Sequence, residues 1–320
     1  MLVPILLLIV GLVILIAGAE FLVKGASSIS RKAGIPPIVI GLTIVAFGTS
    51  APELIVNILS AINGTTDLAV GNIIGSNIAN ILLILGASSF LVALRVKKNT
   101  TWKEIPFAVL AVLAVLIMTN DKILDGATQN VLSKIDGLVL LSFFAIFMYY
   151  TIELMRGGDD KETEDELKVY PLSTSSLMTA GGLIGLFFGG KLLVDNATLL
   201  AQMAGLSEIF IGLTIVAVGT SLPELATSII AAKRGHADIA IGNVVGSNIF
   251  NIFWILGVTS IIKPIPISAG ANFDIFFCLL VTLALFFAMF VGQKHKLERW
   301  QGVLFVLTYI GYLAYLIMRG

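Results

Sequence analysis

The sequence predicts an all-α polytopic membrane protein with ten transmembrane helices, arranged as two inverted five-helix repeats. Three observations support this prediction. The chain of 320 residues is 57% hydrophobic and only 12% charged, and its mean hydropathy is +1.00. Apolar windows of about 20 residues, long enough to cross a bilayer, recur along its whole length. One pair of motifs occurs once in each half of the chain, at the same spacing.

Ten apolar spans are separated by short polar or glycine- and proline-containing segments. The alternating segments of about ten residues that a membrane β-barrel requires do not occur in the sequence. The first span is predicted as a structural helix, because it lacks the basic start and the short apolar core of a signal peptide. Numbered in chain order, the spans are predicted near residues 2–24, 36–61, 68–94, 103–119, 130–155, 176–203, 208–232, 237–262, 271–291 and 298–318.

The repeat consists of two motifs. GLTIVAFGTSAPEL at 41–54 returns as GLTIVAVGTSLPEL at 212–225, and GNIIGSNIAN at 71–80 returns as GNVVGSNIFN at 242–251. The offset is 171 residues in both cases (53 to 224 and 71 to 242), and 27 of 47 positions are identical between 34–80 and 205–251. An odd number of spans per half inverts the second half relative to the first. We therefore expect a first repeat at 1–155, with its motif region at 41–80, and a second at 172–320, with its motif region at 212–251.

Residues 156–171 separate the two repeats and contain six acidic and three basic residues. This composition predicts a solvated acidic linker. The loops after spans 1, 3, 5, 7 and 9 contain 15 lysines and arginines, against 4 on the opposite side. The positive-inside rule then makes these loops and the linker cytoplasmic and both termini extracytoplasmic, in the cell membrane.

Few residues outside the repeated motifs suggest chemistry. Cys278 lies in an apolar run, so we expect a buried thiol without a disulfide partner. His236 and His295 lie in short polar loops and are predicted to be solvated. The sequence has no HExxH, no GxSxG and no nucleophile–histidine pair at membrane depth, which argues against an enzyme. We expect no prosthetic group and no nucleic-acid partner.

Glu53 and Glu224 fall near the middle of spans 2 and 7. A carboxylate in the hydrocarbon region costs several kcal/mol unless it faces a cavity or a partner. Spans 2, 3, 7 and 8 contain no lysine or arginine at that depth. The missing counter-charge is therefore expected to be a mobile cation, a proton or both, and a purely structural role is disfavoured.

Oxygen atoms surround both glutamates in the sequence. Gly48 and Pro52, like Gly219 and Pro223, are expected to unwind the helix and free carbonyls near Ala46 and Ala217. A shell made of these carbonyl oxygens and the two glutamate carboxylates consists of hard oxygen ligands. It suits Ca²⁺ or Na⁺ rather than soft transition metals. For the asparagines that precede or follow the serines of the second motif, interhelical hydrogen bonding is an equally good reading; these are Asn72, Asn77, Asn243 and Asn248.

These paired motifs resemble the two alpha-repeats of the calcium/cation antiporter superfamily, and among its members prokaryotic sodium/calcium exchangers most closely. The GNxxE context of vacuolar proton/calcium exchangers is not found. The resemblance implies long, tilted, mobile spans 1 and 6 and broken helices in spans 2, 3, 7 and 8 around the ion sites. It implies calcium ligands at Glu53, Glu224 and the carbonyls of Thr49 and Thr220, sodium ligands at Ala46, Ser50, Ser76, Ala217, Ser221 and Ser247, and central positions for Asn80 and Asn251.

Asn251 departs from the family pattern, because several exchangers have an aspartate there. The central site therefore contains two carboxylates rather than three. Two negative charges match one Ca²⁺, two monovalent cations or two protons. This leaves the stoichiometry and the coupling ion open.

The resemblance implies a secondary-active antiporter that exchanges Ca²⁺ for Na⁺ by alternating access. We expect it to work as a monomer in the lipid bilayer. The nearest alternative is H⁺/Ca²⁺ exchange through the same two glutamates, because buried carboxylates readily take up protons. A passive cation channel is a further alternative, since acidic rings and carbonyls also build ion filters. Two inverted motifs with glycine and proline breaks favour alternating access instead.

Overall fold

The structure is a computed structural model that describes residues 2–63, 66–156, 169–204 and 217–319, without the side chains of 66–68, 217 and 269. Most of the predicted linker and the first residues of the second motif region, 212–216, lie outside these ranges. The described helices are α1 (Leu2–Ala33), α2 (Pro37–Thr49), α3 (Ala51–Asn63), α4 (Thr66–Ala79, continued by Asn80–Leu85 and Gly86–Leu91), α5 (Lys98–Met118), α6 (Asp121–Leu124), α7 (Lys134–Arg156), α8 (Leu172–Met203), α9 (Ala217–Thr220), α10 (Leu222–Lys233), α11 (Ala237–Ile249, continued by Phe250–Leu256 and Gly257–Ile262), α12 (Ala269–Ala288) and α13 (Arg299–Arg319).

Eight described helices are long and apolar enough to cross a membrane, and the bent pair α2–α3 makes a ninth candidate span. The eight are α1, α4, α5, α7, α8, α11, α12 and α13. The protein is thus a mostly helical, multi-pass membrane protein, as predicted. The short helix α9 and α10 occupy the described part of predicted span 7, so the number ten stays a prediction.

Spans 2 and 7 break where the sequence predicts. Ser50 separates α2 from α3, and the chain bends by 46° between these two helices. Ser221 separates α9 from α10. Each break is followed by a proline in the first helical turn, where the missing N–H costs nothing. Spans 3 and 8 differ from the prediction. They run on as α4 and α11, with π-helical segments at Asn80–Leu85 and Phe250–Leu256. Neither helix contains a proline, and glycine alone removes no hydrogen bond.

The first and sixth spans are longer than the others. α1 continues to Ala33, beyond the predicted end at residue 24, and both α1 and α8 have 32 residues. A helix of this length extends about 48 Å, against about 30 Å for a hydrocarbon core, so both are expected to tilt. The two helices pack antiparallel with their backbones in contact. A Cβ added at Gly18 would lie 2.7 Å from the Leu186 nitrogen, and one at Gly182 would lie 2.5 Å from the Leu22 nitrogen.

Helices α4 and α11 form the centre of the molecule. Both are buried over most of their length, whereas α1, α7, α8, α12 and α13 expose most of theirs. Helix α2 crosses α11 closely, because a Cβ at Gly242 would lie 2.8 Å from the Ile38 carbonyl oxygen. The exposed side chains of the outer helices are largely Leu, Ile, Val and Phe, as expected for a surface in contact with lipid. The repeated motifs therefore meet away from lipid.

Two short antiparallel ribbons connect the loops, which the all-α prediction did not include. β1 (Leu94–Arg95) pairs with β4 (Lys296–Leu297), and β2 (Val131–Leu132) pairs with β3 (Ile265–Pro266). The first ribbon joins the loops after spans 3 and 9, and the second joins the loops after spans 4 and 8. Loops of odd number therefore meet each other, and so do loops of even number.

Candidate functional site

The two glutamates lie at equivalent places in the broken spans. Glu53 is in the first turn of α3 and Glu224 in the first turn of α10, where the helix dipole favours negative charge. Their exposed fractions are 0% and 1%. Within the ranges that the structure describes, neither carboxylate forms an ion pair with a lysine, arginine or histidine. Both carboxylates therefore lack a fixed cationic partner among the described residues, as expected for a site that takes a mobile counter-charge.

The serines at the two breaks exchange partners across the halves. The Ser50 hydroxyl donates to Glu224 Oε1 at 3.0 Å, and the Ser221 hydroxyl lies 3.5 Å from Glu53 Oε1. Ser76, from α4, lies 3.5 Å from the same Glu53 oxygen and 3.3 Å from Ser221. Each carboxylate is thus held by a hydroxyl from the other half, which brings the two glutamates into one cluster.

The threonines of the motifs bond to the scaffold through their side chains. The Thr49 hydroxyl donates to Asn243 Oδ1 at 3.0 Å, and the Thr220 hydroxyl lies 3.5 Å from Asn72 Oδ1. The Asn243 amide in turn donates to the Ser228 hydroxyl at 3.0 Å. Asn72 of α4 and Asn243 of α11 therefore bond to the threonines next to the two helix breaks.

The expected free carbonyl at Ala46 is not free. It accepts from the Ser50 nitrogen at 3.0 Å, and the Thr49 hydroxyl oxygen lies 3.3 Å away. The reason is the register of the proline, because Pro52 withholds the donor that would reach the residue four positions earlier, which is Gly48. By the same register, Pro223 withholds a donor from Gly219.

Four asparagines cross-link α4 and α11. The Asn77 amide donates to the Asn248 carbonyl at 3.1 Å, and the Asn248 amide lies 3.4 Å from the Asn77 carbonyl. Asn80 donates to Asn248 Oδ1 and Asn251 donates to Asn77 Oδ1, both at 2.9 Å. The pattern is the same from either half. It uses the amide nitrogens of Asn80 and Asn251 and so fixes which way their Oδ1 atoms point.

Several buried oxygens of the cluster make no hydrogen bond within the described residues. They comprise one oxygen from each glutamate, one from each central asparagine and one hydroxyl: Glu53 Oε2, Glu224 Oε2, Asn80 Oδ1, Asn251 Oδ1 and Ser247 Oγ. A buried oxygen without a partner costs about 1–3 kcal/mol, and a charged one costs more. Carboxylate and amide oxygens together are the donor set that hard cations prefer.

One support of this cluster, Asn57, was not predicted from the sequence, whereas the other, Asn243, was among the asparagines expected to bond between helices or to line the site. The Asn57 amide donates to the Glu53 carbonyl at 2.7 Å, and Asn243 lies 3.4 Å from the Glu224 carbonyl. Asn57 stands four residues after Glu53 on the same helix face, which is the signal that could have found it. A third buried carboxylate, Glu104, lies outside the cluster and pairs with the Tyr150 hydroxyl. It was overlooked because it sits at the start of its span, next to the charged loop.

The histidine predictions were wrong in part. His236 is only 7% exposed, since its loop folds against the start of α11. His295 is half-buried, and its Nδ1 lies 3.0 Å from the Thr101 hydroxyl. Cys278 is buried, as predicted. The ion pairs Glu20–Lys24 and Lys191–Asp195 form within their helices at 3.3 and 2.8 Å.

The fold and the family comparisons agree on the class of protein. A family model described as "Sodium/calcium exchanger protein" matches residues 3–153 and 174–318. The putative antiporter CaxA of Alkalimonas amylolytica is 40% identical over 98% of both chains, and the sodium/calcium exchanger MaX1 of Methanosarcina acetivorans is 30% identical over 97% of both. A solved structure of the sodium-calcium exchanger NCX_Mj superposes with a TM-score of 0.83 at 33% identity, over 98% of both chains.

These matches identify a membrane transporter fold rather than an enzyme family. The chain belongs to the sodium/calcium exchanger family. The resemblance read from the two repeated motifs is therefore confirmed.

Proposed function

We propose that the protein is a secondary-active antiporter that exchanges Ca²⁺ for Na⁺ across the membrane by alternating access. One observation carries the proposal. Two buried glutamates from different halves each keep an oxygen without a hydrogen-bond partner among the described residues, and two asparagines do the same. The names of MaX1 and NCX_Mj, both sodium/calcium exchangers, support the same cargo.

Calcium would bind between Glu53 and Glu224. Their two negative charges balance one Ca²⁺, and the central amide oxygens of Asn80 and Asn251 complete a shell of the flexible kind that Ca²⁺ accepts. The carbonyls of Thr49 and Thr220 are proposed as further calcium ligands. Sodium would occupy flanking positions that share these oxygens, for which the family pattern suggests Ala46, Ser50, Ser76, Ala217, Ser221 and Ser247.

Exchange follows from the cost of the empty site. Two buried carboxylates without a cation are expensive to occlude, so the protein would change sides only when loaded. Competition of Na⁺ and Ca²⁺ for the same oxygens then couples one flux to the other. The long helices α1 and α8, which pack against each other, are the proposed moving elements. The core helices α4 and α11 are proposed to stay in place.

We infer ten spans in two inverted repeats, at 1–155 and 172–320, joined by the linker at 156–171. The two ribbons support this count. With ten spans, the loops after odd-numbered spans lie on one side of the membrane and the loops after even-numbered spans on the other, and each ribbon joins two loops of the same side. The ion pair between Lys97 and Asp238, at 3.1 Å, also joins two odd loops. The excess of lysine and arginine on that side supports a cytoplasmic position for it, with both termini outside.

The test is sodium-driven uptake of radioactive calcium into proteoliposomes. We expect Glu53→Gln and Glu224→Gln each to abolish the flux, since each removes half of the charge that balances Ca²⁺. Glu104→Gln is the matched control. It also removes a buried carboxylate, but one bonded to Tyr150 outside the cluster, so transport should persist. Normal flux in both cluster variants would refute the proposal.

H⁺/Ca²⁺ exchange uses the same glutamates and is the second candidate. The favouring observation is that both carboxylates are buried without basic partners among the described residues, a setting in which protons also bind. Uptake driven by a pH step without sodium would support it, whereas a pH-insensitive sodium-driven flux would count against it. Stimulation by cation on the opposite side separates either exchanger from a passive pore.

A further inference from the structure

A cavity of about 580 Å³ opens where the loops after spans 1, 3, 7 and 9 meet. Its walls are the start of α2 at Pro37, the start of α11 at His236–Asp238, and the ribbon formed by β1 and β4 with its flanking residues. No residue of the glutamate cluster lines it. The cavity is therefore separate from the candidate cation site.

Four cationic side chains line this cavity, namely Arg95, Lys97, Lys294 and Lys296. One carboxylate is present, Asp238, and it lies 3.1 Å from Lys97. Lys296 donates to the Gln293 side chain at 2.9 Å. The lining therefore has an excess of positive charge. The side chains of Arg95 and Lys294 form no ion pair or hydrogen bond with any residue that the structure describes.

Both histidines of the chain also line the cavity. His236 is only 7% exposed, and its ring nitrogens make no hydrogen bond within the described ranges. Burial lowers the pKa of His236, and the charges of Arg31 and Arg234 lower it further. A neutral imidazole retains one N–H donor. This N–H is available to a group bound in the cavity, and among the mostly cationic side chains of the lining the acceptor that fits is an anion.

The rim of the cavity is conformationally fixed. His295 adopts a φ of 57°, in the left-handed region that a residue with a side chain rarely occupies. Its carbonyl accepts from the Val96 nitrogen and its nitrogen donates to the Met289 carbonyl, both at 2.8 Å. These bonds hold the segment with Lys294 and Lys296 against the segment with Arg95.

The opposite face of the protein shows that the fold does not require these charges. At the repeat offset of 171 residues, Arg95 and Lys97 correspond to Pro266 and Ser268 in and beside the other ribbon. The positive-inside rule explains why basic residues lie on one side of a membrane protein. It does not explain their convergence on a cavity with a buried histidine.

We propose that this basic pocket, lined by Arg95, Lys97, Lys294, Lys296, His236 and His295, binds a phosphate group. Arg95 and Lys294 would supply charge-assisted hydrogen bonds, and His236 would donate its ring N–H. The start of α11 adds the positive end of a helix dipole. The phosphate could belong to an anionic lipid headgroup at the membrane surface or to free phosphate in solution. The proposal does not depend on the transported ions.

The experiment uses the full chain in nanodiscs. Native mass spectrometry compares retention of phosphatidylglycerol and phosphatidic acid against phosphatidylcholine. A separate arm titrates inorganic phosphate into phosphatidylcholine nanodiscs and follows the thermal unfolding midpoint. The double variant Arg95→Gln/Lys294→Gln removes two exposed charges at the pocket. The matched control, Lys134→Gln/Lys263→Gln, removes two exposed charges beside the other ribbon.

We expect the wild type and the control variant to bind either the anionic lipids or inorganic phosphate. The pocket variant should bind the same probe about tenfold more weakly. Selective retention of the anionic lipids identifies a headgroup as the source, and stabilisation by inorganic phosphate alone identifies a soluble one. Binding of neither probe, or equal binding by the pocket and control variants, would overturn the proposal. Because both mutated side chains are exposed, loss of binding cannot be attributed to misfolding if the unfolding midpoint without phosphate is unchanged.

Discussion

The hydroxyl of Ser50, in the first half of the chain, donates a hydrogen bond to the Glu224 carboxylate of the second half at 3.0 Å. Ser50 lies at the break between α2 and α3, so this bond ties the geometry of one break to the carboxylate of the other. It leaves Glu224 Oε2 without a hydrogen-bond partner among the described residues. Orientation of one half's carboxylate thus depends on the other half.

Ser50→Ala is expected to weaken calcium binding without abolishing transport. A hydrogen bond to a charged group contributes about 1.5–3 kcal/mol, so the apparent calcium affinity should fall by about ten- to a hundredfold. The calcium dependence of initial uptake rates in proteoliposomes measures this. Ser142→Ala removes a hydroxyl that, among the described residues, bonds only to its own helix, and it should leave the affinity unchanged. Identical affinities in both variants would contradict this role of Ser50.

Asn77→Leu tests the amide cross-link. The substitution removes the acceptor of the Asn251 amide, so Asn251 can rotate and its Oδ1 atom loses its fixed direction. We expect a drop of about tenfold in calcium affinity. Asn120→Leu is a suitable control, because Asn120, in the loop after α5, and Asn272 of α12 also exchange amide hydrogen bonds, but away from the cluster. The control should lower stability and spare affinity, and a loss of affinity in both would assign Asn77 a merely structural role.

Asn251→Asp tests the charge of the site. With two carboxylates the calcium-loaded site is neutral, and a third carboxylate would give it one negative charge. The charge moved per transport cycle should therefore change by one elementary charge, which electrical recording from proteoliposomes on a solid support detects. Asn80→Asp, at the equivalent position of the other half, should have the same effect. Unchanged charge movement in both variants would mean that neither asparagine lies at the transported ion.

The ion pair between Glu20 and Arg234 connects α1 to the end of α10. Arg234 Nη2 lies 2.8 and 2.6 Å from the two carboxylate oxygens of Glu20. Partly exposed pairs contribute up to about 1 kcal/mol, so Glu20→Gln should change the maximal transport rate by about two- to fivefold, with the calcium affinity preserved. Adding Arg234→Gln should cause little further change, since the interaction is already lost.

Lys191→Gln provides the comparison for that pair. Lys191 and Asp195 form an exposed ion pair within α8 alone, and its loss should leave the transport rate unaltered. If the Lys191 and Glu20 variants behave alike, the contact between α1 and α10 has no influence on the rate.

His236 predicts a pH dependence of stability. Its pKa is lowered by burial and by nearby arginines, so the unfolded chain binds the proton more readily than the folded one. Stability should be greatest above the unfolded pKa of about 6.5 and should fall as the pH drops through that value. His236→Gln should reduce this acid sensitivity, as measured by thermal unfolding in phosphatidylcholine nanodiscs across this range. An unchanged pH profile would contradict the prediction.

The sequence predicted the features that depend on local pattern. Apolar spans follow from hydropathy, and the breaks at Ser50 and Ser221 follow from a proline after a glycine. The breaks expected in spans 3 and 8 did not occur, because no proline interrupts their hydrogen bonding. Burial of both glutamates could be predicted because spans 2 and 7 offered them no basic partner at membrane depth.

Features that depend on tertiary contact could not be read in advance. The exchange of serine partners between the halves requires the two breaks to meet, which no spacing along the chain encodes. The asparagines of α4 and α11 were equally compatible with packing and with ligand binding. The structure gives Asn77 and Asn248 the hydrogen-bonding role. The burial of His236 depends on how four loops assemble, and so it was missed.

The glycine contacts between α1 and α8 restrict how the molecule can change shape. Bare backbones that touch over several turns, with no intervening side chains, leave no layer along which one of these helices could slip past the other. In the proposed transport cycle the two would therefore move together as one rigid unit, and the surface that changes would be the one between this unit and the remaining helices.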